Sequence, residues 1–210
     1  MENVLVAGAN GTTGKKIVNL LKASQYFNPV AMVRKEEQQE QFKKEGITTV
    51  LGDLEKDLFH TLEHKEKVIF AAGSGGEKVI AVDQEGAKNL MNASKKANIK
   101  KFVMLSSMGA DNPKASEDLQ EYLEAKLNAD EYLKSSGLTY SIVRPGSLTN
   151  DAGTGKIKLQ SKMNQQGSIT RDDVAQTLVR SLHDDAVINQ TIEIIQGETL
   201  IGEALDEVAV

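Results

Sequence analysis

The chain has 210 residues, 40% hydrophobic and 26% charged, a balance that suits one globular α/β domain with a sizeable core and excludes a disordered chain. Its formal charge is -5 and it contains no cysteine. Thiolate catalysis, disulfides and cysteine-ligated metals are therefore ruled out, and the overall field repels nucleic acid and anionic membranes. The opening Met-Glu-Asn has no basic segment or long apolar stretch behind it, and no run approaches the roughly 20 apolar residues of a membrane span. The expectation is a cytoplasmic protein, monomer or dimer, whose partner is a small-molecule substrate, with no role for nucleic acid or membrane.

The first predicted strand, VLVA (4–7), runs directly into a turn with Gly8, Gly11 and Gly14, and a helical pattern follows over 14–23. Gly8 permits a tight turn, Gly11 lets a pyrophosphate approach the backbone, and Gly14 allows close helix–strand packing. The free N–H groups at the helix start suit a phosphate. The second strand (30–34) ends in Arg34 and Lys35, with acids only at Glu36 and Glu37. A guanidinium at this position favours NADP over NAD, because an NAD enzyme usually places a carboxylate there for the ribose hydroxyl.

A helical pattern at 36–45 leads to a third strand (48–52) and Asp53, placed to meet the adenine amine. The polar segment that follows is expected to be the third crossover helix. It carries His60, Glu63 and His64 in an H-x-x-E-H pattern. That spacing can bind zinc, but here it reads as a solvated face, so no metal is assigned. The fourth strand (67–72) ends at Ala72 and Gly73, leaving room for the adenine ribose. A helix over 80–97 and a fifth strand (101–107) follow, the latter ending in Ser106 and Ser107.

The next helix (116–136) carries Tyr122 and Lys126 at i and i+4, on one face. A lysine ammonium beside a phenol favours the phenolate, giving a proton donor or acceptor for a carbonyl/alcohol couple. Ser107 is the expected hydroxyl that orients the carbonyl. A sixth strand (140–144) is followed by a stretch read as irregular, 146–168, on the substrate side, and a seventh strand (191–195) ends the series. Continuous apolar runs alternating with amphipathic helices predict a doubly wound, Rossmann-type parallel sheet with right-handed crossovers.

Taken together, VLVAGANGTTG, AMVRK, LGDLEKDL, FAAGSGG, VDQEGAKNLMNAS, FVMLSSMGAD, YLEAKLNADEYLKSSGLTYSIVRPGSL and ITRDDVA resemble the atypical short-chain dehydrogenase/reductases of the NAD(P)-binding, NmrA-like group. The resemblance implies cofactor contacts at Gly8, Asn10, Gly11, Thr12, Thr13, Gly14, Arg34, Asp53, Leu54, Ala72, Gly73, Lys126, Pro145 and Gly146. It also makes Asp83–Gly86 the family's structural Asp-x-x-Gly. The implied activity is NADP-dependent oxidation or reduction of a small carbonyl or alcohol by Ser107, Tyr122 and Lys126. Two alternatives come with the group: a redox sensor that binds the nucleotide without turnover, and a nucleotide-sugar epimerase. The latter is disfavoured by the short stretch after Pro145.

Overall fold

Apolar runs without polar alternation become strands where helices cover both of their faces. In the computed structural model, which describes residues 1–208, all seven predicted strands form. In chain order the first half contains β1 (Glu2–Ala7), α1 (Thr12–Lys22), β2 (Phe27–Val33), α2 (Glu36–Lys44), β3 (Thr48–Leu51) and β4 (Lys67–Phe70). A π-helical segment, Val79–Gly86, then runs into α3 (Ala87–Lys96), followed by β5 (Lys101–Leu105), α4 (Gln120–Ser135) and β6 (Tyr140–Pro145). The rest comprises β7 (Ser147–Thr149), β8 (Lys156–Gln160), β9 (Ser168–Thr170), α5 (Arg171–Arg180), β10 (Gln190–Gln196), β11 (Thr199–Leu200) and α6 (Ile201–Asp206).

The main sheet has the order β11-β8-β10-β6-β5-β4-β1-β2-β3. From β3 to β10 every neighbour is parallel, whereas β8 and β11 extend it antiparallel. One face is covered by α1, α2, α5 and α6 through Ile17, Leu21, Phe42, Val174, Leu178 and Leu205. The other is covered by α3 and α4 through Leu90, Met91, Ala129 and Leu133, with Leu58 and Leu62 alongside. Each such side chain contributes about 1.5–3 kcal/mol on burial. The strand order reverses between β1 and β4, and there α1 and α3 leave on opposite faces and open a crevice at the carboxyl ends of the strands.

Four expectations change. The third crossover is a single 3₁₀ turn, Phe59–Leu62, because Leu58, Thr61 and Leu62 are its only buried positions between 55 and 64, too narrow a stripe to anchor a helix. His60 and His64 therefore do not share a helix face: His60 Nε2 bonds the Leu51 carbonyl at 2.8 Å and His64 has φ 57°. Among the described residues no group of three or more His, Cys, Asp or Glu could hold a metal ion. The helix expected from residue 80 is π-helical in its first half.

The stretch 146–168 is also not irregular. It contains β7 and β8, and β7 pairs with β9 as a separate two-stranded ladder. Finally, α5 packs on the α1 face although the step from β6 to β10 runs opposite to that from β1 to β2, so this last connection is not a simple right-handed unit.

Candidate functional site

The glycine turn lies where β1 and β4 end side by side, with Ala71 N–H donating to the Ala7 carbonyl at 2.9 Å. Gly8 has φ +85°, and a Cβ there would lie 2.6 Å from the Ala71 backbone. A Cβ on Gly14 would lie 2.0 Å from the Gly8 carbonyl oxygen. Both positions exclude any other residue on the chain's own account. Gly11 differs: it is exposed, its φ is -71°, and an added Cβ would meet only the Gly8 oxygen, at 3.2 Å. Packing does not demand a glycine there, so its missing side chain leaves the outer side of the turn open to a ligand.

The start of α1 has no side-chain cap and no acid in its first turn. The first helical bond is Lys15 N–H to the Gly11 carbonyl, at 2.9 Å, which leaves the amides of Thr12, Thr13 and Gly14 without a helical acceptor. Asn10 Oδ1 is buried with no hydrogen-bond partner among the described residues. An uncapped helix start and an open glycine fit a nucleotide diphosphate, whereas the orphaned Asn10 oxygen calls for a donor such as a hydroxyl.

The other strand ends open on the same crevice. Arg34 is exposed, and its guanidinium makes no hydrogen bond or ion pair among the described residues. Lys35 is exposed beside it. Asp53 Oδ1 accepts from the Glu55 amide at 3.1 Å in a local turn, while the Leu54 side chain packs against Gly86. Ala72 is half-buried and Gly73 exposed. At the end of β6, the Pro145 carbonyl accepts from Met108 N–H at 3.0 Å. Gly146 is required by a close crossing, since a Cβ would lie 2.3 Å from the Gly167 oxygen.

The two serines at the end of β5 separate cleanly. Ser106 is buried and its Oγ donates to Asp130 Oδ2 at 2.9 Å. Ser107 is half-buried, bonded only to the neighbouring Met108 carbonyl at 3.2 Å, and is the serine with a hydroxyl to offer. On α4, Tyr122 and Lys126 do share a face, with Lys126 Nζ 5.4 Å from the Tyr122 ring centroid.

The sequence model of a family described as NAD(P)H-binding matches residues 8–185. The chain belongs to the NAD(P)H-binding family. It is 39% identical over 210 residues to the uncharacterized sugar epimerase YhfK of Bacillus subtilis, covering 96% of this chain and 98% of that one. The sanguinarine reductase of Eschscholzia californica is 28% identical, covering 96% and 91%. Among solved structures, a Bacillus halodurans protein described as an NAD-dependent epimerase/dehydratase superposes with a TM-score of 0.94 at 37% identity, covering 99% and 100%.

Within this NAD(P)H-binding fold, the sequence reading missed Asp83 as a member of the site. The π-helical segment turns Asp83 inward, where it is 1% exposed. Its Oδ2 accepts from Ser74 N–H at 3.0 Å and Ser74 Oγ at 2.8 Å, and Oδ1 lies 3.1 Å from Lys126 Nζ. Oδ1 nevertheless lacks an aligned donor, so this contact is ionic and leaves a lone pair free beside Gly73, where an added Cβ would be 3.3 Å away. Lys126, 4% exposed, thus has a buried counter-charge, as a buried ammonium requires. No spacing rule signals a pair 43 residues apart in sequence; the only hint was the Asp-x-x-Gly pattern.

Proposed function

We propose that this NAD(P)H-binding protein is an NADP(H)-dependent oxidoreductase acting on a small carbonyl or alcohol. The observation that carries the reading is the juxtaposition, at one end of the sheet, of an uncapped helix start with an available serine hydroxyl and a Tyr122–Lys126 pair. The nicotinamide, when bound, supplies or accepts the hydride. Ser107 Oγ donates to the substrate oxygen, and the Tyr122 phenol exchanges a proton with it. Lys126, ion-paired with Asp83, sets a positive charge over the Tyr122 ring and would serve the cofactor ribose. The unpaired Arg34 guanidinium supports NADP over NAD.

Parallel calorimetric titration with NADP and NAD tests the binding half. NADP should bind more tightly, and Arg34→Ala should reduce its affinity by roughly 10–100-fold while leaving NAD unaffected. Absence of binding to either nucleotide at about millimolar concentration would sink the whole proposal. For the chemistry, Tyr122→Phe should lower carbonyl-dependent NADPH oxidation by about 10²–10⁴-fold; unchanged turnover removes Tyr122 from the mechanism.

A sensor reading draws on Lys126 being engaged by Asp83. It predicts nucleotide binding with no NADPH consumption across a carbonyl screen. An epimerase reading draws on the names of two relatives and predicts cofactor that survives extensive dialysis.

A further inference from the structure

The α4-facing side of the sheet is apolar up to Met104 and Ile142 and then changes character. Ser106, Arg144 and Glu193, from three neighbouring strands, are all buried. The register sets Arg144 beside Glu193 and Leu105 beside Val143, so Ser106 falls level with Arg144. From α4, Asp130 presses onto this row with no exposure at all. Its Oδ2 accepts from Ser106 Oγ at 2.9 Å and from Arg144 Nε at 2.8 Å, with Arg144 Nη2 also at 2.8 Å. Burial pushes the Asp130 carboxyl above its ordinary range, against the opposing pull of Arg144 and Ser106.

The row continues outward. Arg144 Nη1 lies 3.9 Å from Asp111 in the β5–α4 connection. Asp111 is ion-paired with Lys162, from the turn after β8, and Lys162 lies 3.6 Å from Glu193. Glu193 Oε2 in turn accepts from the Met163 amide at 2.5 Å. Buried ion pairs are weak stabilisers, since well-packed apolar replacements are often neutral or better. What this set provides is fixed geometry between segments distant in sequence.

We propose that Arg144 is a positioning residue for the substrate side of the cleft: through Asp130 it fixes the Ser106–Ser107 turn, and through Asp111 and Lys162 it fixes the turn at 161–163, so that the two segments loosen together. Only the use made of this mouth rests on the oxidoreductase reading; the coupling does not.

Hydrogen-exchange mass spectrometry on the intact protein tests it. Arg144→Lys keeps the charge but loses the fork, and should raise exchange about tenfold in both 104–112 and 160–166. Lys162→Met changes a side chain that is 54% exposed, so the fold tolerates it. It should also loosen both segments, and Lys162→Arg should restore them.

Raising salt from about 0.05 to about 0.5 M should loosen wild type but not Lys162→Met. Unchanged exchange in Arg144→Lys, or a Lys162→Met response confined to 160–166, overturns the proposal. If Arg144→Lys fails to fold, the Lys162 variants decide alone. NADPH titration of the same wild-type sample separates the two readings: absent binding sinks the oxidoreductase, and absent co-loosening sinks the coupling.

Discussion

Helices α1 and α5 pack against each other on one face of the sheet, tied by Lys16 and Asp172 at 2.8 Å, yet their first turns are built in opposite ways. At α5, Thr170 Oγ1 accepts from the Asp173 amide at 3.1 Å, and two acids stand in the first turn. Asp173 also accepts from Thr170 Oγ1 at 2.9 Å and from Gly155 N–H at 2.8 Å. At α1 no side chain caps the helix and no acid lies in its first turn. Both helices face the same physical requirement, that orphan N–H groups find acceptors. One is answered from within the chain; at the other the described residues supply no side-chain acceptor, as the proposed diphosphate site requires. A helix start is therefore informative as a binding site only when the chain has declined to cap it.

The largest test of this contrast is Gly14→Ala. Its Cβ would be forced to 2.0 Å from the Gly8 oxygen, so we expect at least about 3 kcal/mol of destabilisation and complete loss of NADP(H) binding. Thermal denaturation and calorimetry measure both, and normal binding by the alanine variant would break the comparison. Asp173→Ala should cost about 2–3 kcal/mol by removing the carboxylate that holds the capping Thr170 hydroxyl and the Gly155 amide. Nucleotide affinity should stay within about twofold.

Gly11→Asp sharpens the contrast by giving α1 what α5 already has. Unliganded stability should rise by about 0.5–1 kcal/mol while nucleotide affinity falls by about tenfold or more. An affinity that does not fall would show that the phosphates bind elsewhere.

The contrast extends to the far end of α5. There the buried Lys67 donates to the Leu182 carbonyl and the buried Lys101 to those of His183 and Ala186. Burial, with the charge of Lys67, lowers the Lys101 pKa to about 8 from 10.5. Between these values the unfolded chain holds more protons, so stability rises with pH through this window. Wild type should gain about 1 kcal/mol relative to Lys101→Met between about pH 8 and 9, read from denaturant melts. A pH-independent difference would place Lys101 in a more solvated setting.

Most of the parallel sheet was legible because runs such as Val4–Ala7 and Val68–Phe70 are apolar on both faces, and only a sandwiched strand needs that. β8 was not: KIKLQ alternates polar and apolar residues, as a border strand with one wet face does, and so lacks the continuous apolar run that marked the others. The glycine turn declared itself by local spacing. Asp83 with Lys126, and Asp130 with Arg144, did not, because charges that meet across the fold leave no periodic trace in the chain. Lys67 and Lys101 open their strands as charged residues and yet are buried, because each ammonium donates to carbonyls that lie more than 80 positions away in the chain.

Both borders of the nine-stranded sheet are very short, with four residues in β3 and two in β11. A second polypeptide seeking to lengthen the sheet would find fewer positions than the roughly five or six of an ordinary strand. Accretion of further chains into a continuous ribbon is thereby discouraged at both margins.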